Sequence, residues 1–185
     1  MKKLFLVGAL ALFGAMNAQK FGAKVGANLS NFTGDVTGTD SKVGFYVGGF
    51  ANFAISDKFS FQPELVYSNE GAKANVEGIN VTWNVDYIKV PLMFQYHAAE
   101  KFNLEAGPYV GFLVSSKAKA SGESADMKDL LNSTDFGLGL GAEYNFTDKI
   151  SAGLRYNAGL SNIAKDSGSD KVKNSVFQLG LGYRF

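Results

Sequence analysis

The chain has 185 residues, which is enough for one domain, and contains 22 glycines, 16 phenylalanines and 8 tyrosines but no cysteine. The absence of cysteine excludes disulfides, thiolate zinc sites and cysteine nucleophiles. Lysine and arginine number 18 against 17 aspartates and glutamates. This balance gives no reason to expect a nucleic-acid partner.

The chain begins with MKKLFLVGALALFGAMNA, which has the pattern of a cleaved secretory signal. Lys2 and Lys3 form a basic start, residues 4–13 form an apolar run, and small residues follow. The run is too short to span the roughly 30 Å hydrocarbon core of a bilayer as a helix. We therefore predict a signal peptide at residues 1–18 and a mature, exported domain at residues 19–185.

Eight segments of the mature domain alternate apolar and polar residues, which is the pattern of β-strands. In DFGLGLGAEYNF, at 135–146, every second residue is apolar, and glycine, carboxylate or amide residues lie between them. Most segments are long enough to cross a bilayer when tilted. They lie at about 20–32, 43–55, 59–70, 84–96, 102–115, 135–146, 150–160 and 174–185.

The connections between these segments alternate in length. Short turns follow the second, fourth and sixth segments, whereas long polar loops at 33–42, 71–83, 116–134 and 161–173 follow the others. This layout is typical of an outer-membrane barrel. We predict an all-β fold, a closed up-and-down barrel of eight antiparallel transmembrane strands, with a turn or two of helix at 124–131.

Alternation alone leaves open which face of the strands is inside. A water-soluble barrel would bury the apolar face, and a membrane barrel would turn it to lipid. An eight-stranded lumen is barely wide enough for side chains, so it has little room for this much Phe, Tyr and Leu. The aromatic residues also lie towards the strand ends, as in interfacial girdles, and glycine on the opposite face suits a cramped interior. We therefore predict that the apolar face meets lipid.

Charged residues of the opposite parity are predicted to line the lumen. They are four acids and four bases, and equal numbers favour mutual pairing, because buried charges are costly unless paired. A narrow polar channel lined by the same charges is the alternative. The residues are Lys24, Glu64, Lys89, Glu105, Asp135, Glu143, Arg155 and Arg184.

Three prolines lie inside the predicted strands, at positions 63, 91 and 108. Each removes a hydrogen bond from the ladder, and a closed barrel has no edge on which to place it. We expect local bulges or wide pairs at Pro63, Pro91 and Pro108.

Three segments resemble the small outer-membrane β-barrel, or porin-family, domain common in Bacteroidetes. They are FQPELVYSNEGAK (61–73), DYIKVPLMFQYH (86–97) and FNLEAGPYVGFLVSSK (102–117). The resemblance covers essentially the whole mature chain and implies that the three prolines belong to the family pattern. It implies an integral protein of a Gram-negative outer membrane, in contact with lipid bilayer and lipopolysaccharide. It implies little about activity, because most members have none assigned.

The C-terminal segment, FQLGLGYRF, resembles the signal that the outer-membrane assembly machinery reads. Its last residue is aromatic and follows apolar residues at alternate positions, although any lipid-facing final strand has the same pattern. The predicted signal consists of Phe177, Leu179, Leu181, Tyr183 and Phe185.

The sequence offers no catalytic, cofactor or metal site. His97 is the only histidine and lies at a short turn, and DSGSD at 166–170 lacks the acidic spacing of a calcium loop. We predict a non-enzymatic barrel with a mostly plugged lumen, which has an envelope structural or interaction role through its long loops. The alternatives are a narrow small-solute or ion channel and an accessory barrel of a secretion or uptake complex.

Overall fold

The computed structural model describes residues 19–76, 78–165, 168 and 170–185, so the predicted signal peptide lies outside the described residues. Among the described residues, no helix is long and apolar enough to cross a bilayer. The strands are β1 (Gln19–Gly34), β2 (Asp40–Ala54), β3 (Phe59–Val76), β4 (Ile79–Ala99), β5 (Phe102–Ala120), β6 (Glu123–Asp126), β7 (Thr134–Asn145), β8 (Ile150–Gly159) and β9 (Val172–Arg184).

Eight of these strands close into an antiparallel ring. Strands β1 to β5 pair in sequence, β5 pairs with β7, β7 with β8 and β8 with β9. The ring closes where β9 pairs back with β1 over 13 consecutive residue pairs, from Gly22 with Arg184 to Gly34 with Val172. This confirms the predicted fold class and leaves the ring without an open edge, as hydrocarbon surroundings require.

The strands continue further into the long connections than the sequence predicts. Most of the predicted loop at 71–83 is a β-hairpin, because β3 ends at Val76 and β4 begins at Ile79. In the third long connection β6 pairs with the end of β5, and a 3-10 helix of Lys128–Leu130 follows. The helix predicted at 124–131 is therefore only three residues long. Apolar alternation fades where strands leave lipid, although their hydrogen bonding continues.

As predicted, the barrel turns apolar side chains outward and polar side chains inward, the opposite of a water-soluble barrel. The outward side chains are mainly large and apolar, and Leu140 is 67% exposed. The inward side chains are mainly polar, and Asp135 is fully buried. The alternating segment at 135–146 therefore turns its Phe and Leu outward and its carboxylates inward.

The three prolines interrupt the ladder without shifting it. They lie on consecutive strands, and each is paired in register with the following strand of the ring, Pro63 with Leu92, Pro91 with Tyr109 and Pro108 with Leu138. Towards the preceding strand, two residue pairs are missing at each proline, and the register is the same on both sides of the gap. Of the two expected alternatives the bulge is wrong, because a lost N–H removes bonds locally without inserting a residue; the gap of two unpaired positions is closer to the expected wide pairs.

Glycines in the lumen make room for an inward tyrosine. Tyr46 of β2 lies in one row with Gly26 of β1, Gly180 of β9 and Gly153 of β8. A Cβ on Gly180 would overlap the Tyr46 hydroxyl, and a Cβ on Gly26 would lie 2.6 Å from the Tyr46 ring. At Gly153 the nearest atom would be the Ala142 carbonyl oxygen, at 3.6 Å. Gly26 and Gly180 are therefore too close to the Tyr46 ring to carry a side chain, whereas Gly153 is not.

The variant Gly180→Ala is expected to lower the free energy of unfolding by about 1–3 kcal/mol, the usual cost of adding carbon to a packed interior. The matched control Gly153→Ala, on the adjacent strand, is expected to change it by no more than about 0.5 kcal/mol. Urea unfolding of both variants in lipid vesicles measures the difference. Equal stabilities would show that the Tyr46 ring moves aside at little cost.

Candidate functional site

The middle of the lumen holds four paired charges, which we call the central cluster: Lys24, Glu64, Glu105 and Arg155. The Arg155 guanidinium donates through Nη1 and Nη2 to the two Glu64 oxygens at 2.9 and 2.8 Å, and through Nε to Glu105 Oε1 at 2.7 Å. Lys24 Nζ donates to Glu64 Oε1 at 2.6 Å. In the ring, β8 and β3 are diametrically opposite, so the Arg155–Glu64 pair spans the barrel.

A second group lies towards the long loops, and we call it the loop-end cluster: Lys42, Glu70, Lys89 and Asp135. Lys89 Nζ lies 2.6 Å from Glu70 Oε1 and 3.7 Å from Asp135 Oδ2. Lys42 Nζ donates to Asn69 Oδ1 at 2.6 Å and to the Glu70 carbonyl oxygen at 3.2 Å. All four cluster members are buried.

The remaining pair lies towards the short turns, and we call it the turn-end pair: Glu143 and Arg184. Arg184 Nη2 donates to Glu143, and its Nη1 donates to Asn145 Oδ1 at 2.7 Å. Beyond this pair the barrel opens into a cup of about 730 Å³, where His97 Nδ1 lies 2.8 Å from Asn103 Oδ1. The only histidine of the chain therefore lies in this cup, and its partner Asn103 also donates to Glu143 of the turn-end pair at 3.5 Å.

The structure places all eight predicted lumen residues inside the barrel and in ion pairs. Two further charged residues point inward that are not among the predicted ones: Glu70, at the end of the third predicted segment, and Lys42, just before the second. Strand parity was the available signal, because it turns both residues inward. With these two, each of the three groups contains as many acids as bases.

Neutral groups complete the bonding of the carboxylates. Gln62 Nε2 donates to Glu64 Oε1 at 2.9 Å, and the Tyr109 hydroxyl donates to Asp135 Oδ2 at 3.1 Å. Asn174 also donates to Asp135 Oδ2, at 3.0 Å. Such additional bonds are what offsets the cost of taking charges out of water. The cavity beside the central cluster has a volume of only about 30 Å³.

The interior changes character at the loop end, where it becomes apolar. Val85, Tyr87 and Leu113 are buried there, and Phe32 and Leu131 pack against them. Above them lies a cavity of about 210 Å³, which we call the loop-end pocket, lined by Phe32, Trp83, Val85, Met127, Leu131, Ile163 and six further residues. Strand alternation does not predict this pocket, because loop residues 127–131 and 163–164 complete it.

Metal binding has no support in the part of the chain that the structure describes, where no group of three or more His, Asp or Glu residues could hold an ion. Three residues of the DSGSD segment, at 166, 167 and 169, lie outside the described residues.

Residues 17–165 match the sequence profile described as "Outer membrane protein beta-barrel domain". The chain belongs to this family. It is an integral outer-membrane barrel. In such barrels the short turns are generally periplasmic and the long loops extracellular. No curated protein matches the chain in sequence.

Solved structures of two bacterial surface proteins share the fold of this outer-membrane barrel. Ail, the attachment invasion locus protein of Yersinia pestis, has a TM-score of 0.58 and 19% identity, and the match covers 91% of this chain and 99% of Ail. Neisserial surface protein A has a TM-score of 0.59 and 15% identity, with 89% and 97% covered. At these identities the likeness shows the fold alone.

The final strand of this outer-membrane barrel carries the predicted assembly residues on its lipid-facing side. Their side chains are 45–75% exposed, and the rings of Tyr183 and Phe185 lie 5.8 Å apart. Strand β9 also forms the closing seam with β1. These residues therefore lie on the lipid-facing side of the C-terminal end of the chain, which is synthesised last.

The variant Arg155→Ala is expected to lower the free energy of unfolding by about 3–5 kcal/mol, because it leaves Glu105 without its cation. The control Lys165→Ala, at an exposed loop position, is expected to change it by no more than about 0.5 kcal/mol. Urea unfolding in lipid measures both. Adding Glu105→Gln to Arg155→Ala should recover part of the loss, since the unpaired charge is then gone. An Arg155→Ala protein as stable as the parent would contradict the pairing argument.

Proposed function

We propose that this protein is a non-enzymatic envelope barrel with a plugged lumen, which acts in outer-membrane structure and in interactions at the extracellular side. The observation that carries the proposal is the Arg155–Glu64 pair, which joins opposite walls of the barrel through two hydrogen bonds. Its proline-containing motifs resemble those of the porin-family barrels of Bacteroidetes, and this resemblance supports a barrel of that type.

The central cluster supports a plug because of what a passing ion would have to displace. The guanidinium of Arg155 makes three charge-assisted hydrogen bonds to two carboxylates. Removing it from them would leave buried charges unpaired, which costs several kcal/mol. The remaining space of about 30 Å³ holds about one or two waters rather than a hydrated path.

The extracellular extension of β3, β4 and β5 supports the interaction role. Lys73 and Lys119 both pair with Thr82 from opposite sides, and Lys117 lies two residues from Lys119 on the same exposed face. Strand spacing places the lysines roughly 7–10 Å apart. Asp40 is paired with Lys73 and Asp126 with Lys117, which reduces the net positive charge of the patch.

Anionic groups are the partners that these lysines fit. Lipopolysaccharide, the expected contact of an outer-membrane barrel, carries such groups as phosphates. The fold neighbour Ail has been solved in complex with the heparin analogue sucrose octasulfate, with a TM-score of 0.56 and 20% identity to this chain. That complex supports, as part of the proposal, a polyanionic partner at the extracellular side.

Planar-bilayer recording tests the plug. The parent barrel is expected to show no steady conductance, because the central cluster leaves a space of only about 30 Å³ in the middle of the lumen. Arg155→Gly should raise the frequency of current openings, and Lys165→Gly should not. Stable, ion-selective openings of the parent would instead establish a channel lined by the same charges.

We also propose that the alternate apolar residues ending at Phe185 are recognised by the outer-membrane assembly machinery. Deletion of Phe185 is expected to lower the amount of heat-modifiable barrel in outer-membrane fractions and to raise periplasmic or degraded protein. Phe146→Ala, which removes another exposed aromatic near a short turn, is the control. If deletion and control assemble equally well, the terminal residue is not the recognised element.

A further inference from the structure

The loop-end pocket differs from the rest of the lumen in its chemistry. Below it, the interior is lined by amides, carboxylates and bases, whereas the pocket wall is made almost entirely of carbon. Phe32, Trp83 and Val85 face it from the strands, and Met127, Leu131 and Ile163 face it from the loops. Water gains few hydrogen bonds in such a space, so an apolar occupant is favoured there.

The loop walls of this pocket are built by regular hydrogen bonds. Leu131 and Ala164 form a β-bridge, and the Asn132 amide donates to the Ile163 carbonyl oxygen at 2.8 Å. The Ile163 amide in turn donates to the carbonyl oxygen of Val172 on β9, also at 2.8 Å. Ile163 is fully buried. The two loop segments are therefore tied to each other and to the barrel.

The pocket has a fixed floor. Tyr87 is fully buried beneath it, and its hydroxyl accepts a hydrogen bond from Asn174 Nδ2 at 3.3 Å. Asn174 also donates to Asp135 of the loop-end cluster. An apolar molecule that enters from outside meets this floor and then paired charges, so the pocket retains a ligand and does not pass it on.

The volume sets the size of the ligand. A dry cavity of about 150 Å³ lined by Leu, Ile and Phe binds benzene or xenon. The loop-end pocket has about 210 Å³ and two aromatic rings, Phe32 and Trp83, whose centroids lie 6.4 Å apart. At its rim Leu130 is 57% exposed, which offers apolar surface to an incoming molecule.

We propose that the loop-end pocket is a binding site for small apolar molecules, of the size of benzene to indole, which enter from the extracellular side. The site goes beyond the envelope role, because it requires neither conductance nor a partner at the surface lysines. Its function is reception of the ligand at the cell surface.

Trp83 provides a direct assay, because it is the only tryptophan of the chain and lines the pocket. In lipid nanodiscs, bromobenzene is expected to quench its fluorescence saturably through the heavy atom, and benzene should restore the signal by competition. The control Trp83→Phe/Phe94→Trp moves the single tryptophan to the lipid face. There, quenching should rise in proportion to the bromobenzene dissolved in lipid and should resist benzene. Identical, non-saturating quenching of both proteins would overturn the proposal.

A cavity-filling variant locates the site. Ala164→Leu places a larger side chain in the pocket and is expected to weaken bromobenzene binding about tenfold or more, because two groups cannot share the packed space. Ala125→Leu, at an exposed position of β6, is the matched control and should bind like the parent. Heat-modifiable gel mobility confirms that each variant is folded. Undiminished binding by folded Ala164→Leu would overturn the assignment. Benzene should also raise the unfolding temperature of the parent, and no rise would contradict the site independently of any variant.

Discussion

The hydrocarbon core of the membrane offers no hydrogen-bond partner to a peptide group, and the rest of this structure depends on that constraint. Every strand in the ring has a partner on each side, which is possible here only because β9 returns to β1. Closure at eight strands leaves a lumen about as wide as the side chains that fill it. The apolar residues must then lie outside, and the polar residues must find their partners within a narrow space.

The charged residues of the interior are arranged in three separate groups, each with equal numbers of acids and bases. The central cluster has two acids and two bases, the loop-end cluster has the same, and the turn-end pair has one of each. In the loop-end cluster Lys89 contacts both carboxylates, whereas Lys42 contacts an amide and a carbonyl oxygen. Arg155 connects the most strands, because its planar guanidinium binds carboxylates of both β3 and β5 while its backbone belongs to β8. It thereby links walls that share no backbone hydrogen bond.

Strand parity predicts which side of the barrel a residue faces. For this reason the eight-stranded ring and its outward apolar face could be predicted from the sequence. Parity does not predict partners across the lumen, because these depend on the height of each residue along a tilted strand. Glu70, for example, pairs with Lys89 of the adjacent strand, whereas Glu64 pairs with Arg155 on the far wall. The loop-end pocket was beyond prediction for a different reason. Its walls include Ile163 and Leu131, which come together only when two irregular loops fold over the mouth.

The prolines leave one side of the barrel wall with a less continuous hydrogen-bond ladder than the other. Missing ladder pairs lie between β2 and β3, β3 and β4, and β4 and β5, whereas the seam between β1 and β9 runs through 13 pairs without a break. Amide hydrogens beside the prolines are held by fewer cooperating bonds, so exchange with solvent deuterium should be fastest there among the membrane strands. The junction between the two ends of the chain is thus the longest unbroken run of paired residues in the wall. Exchange along this seam should therefore be slower than beside the prolines, so the two ends of the chain stay joined while bonds next to the prolines open.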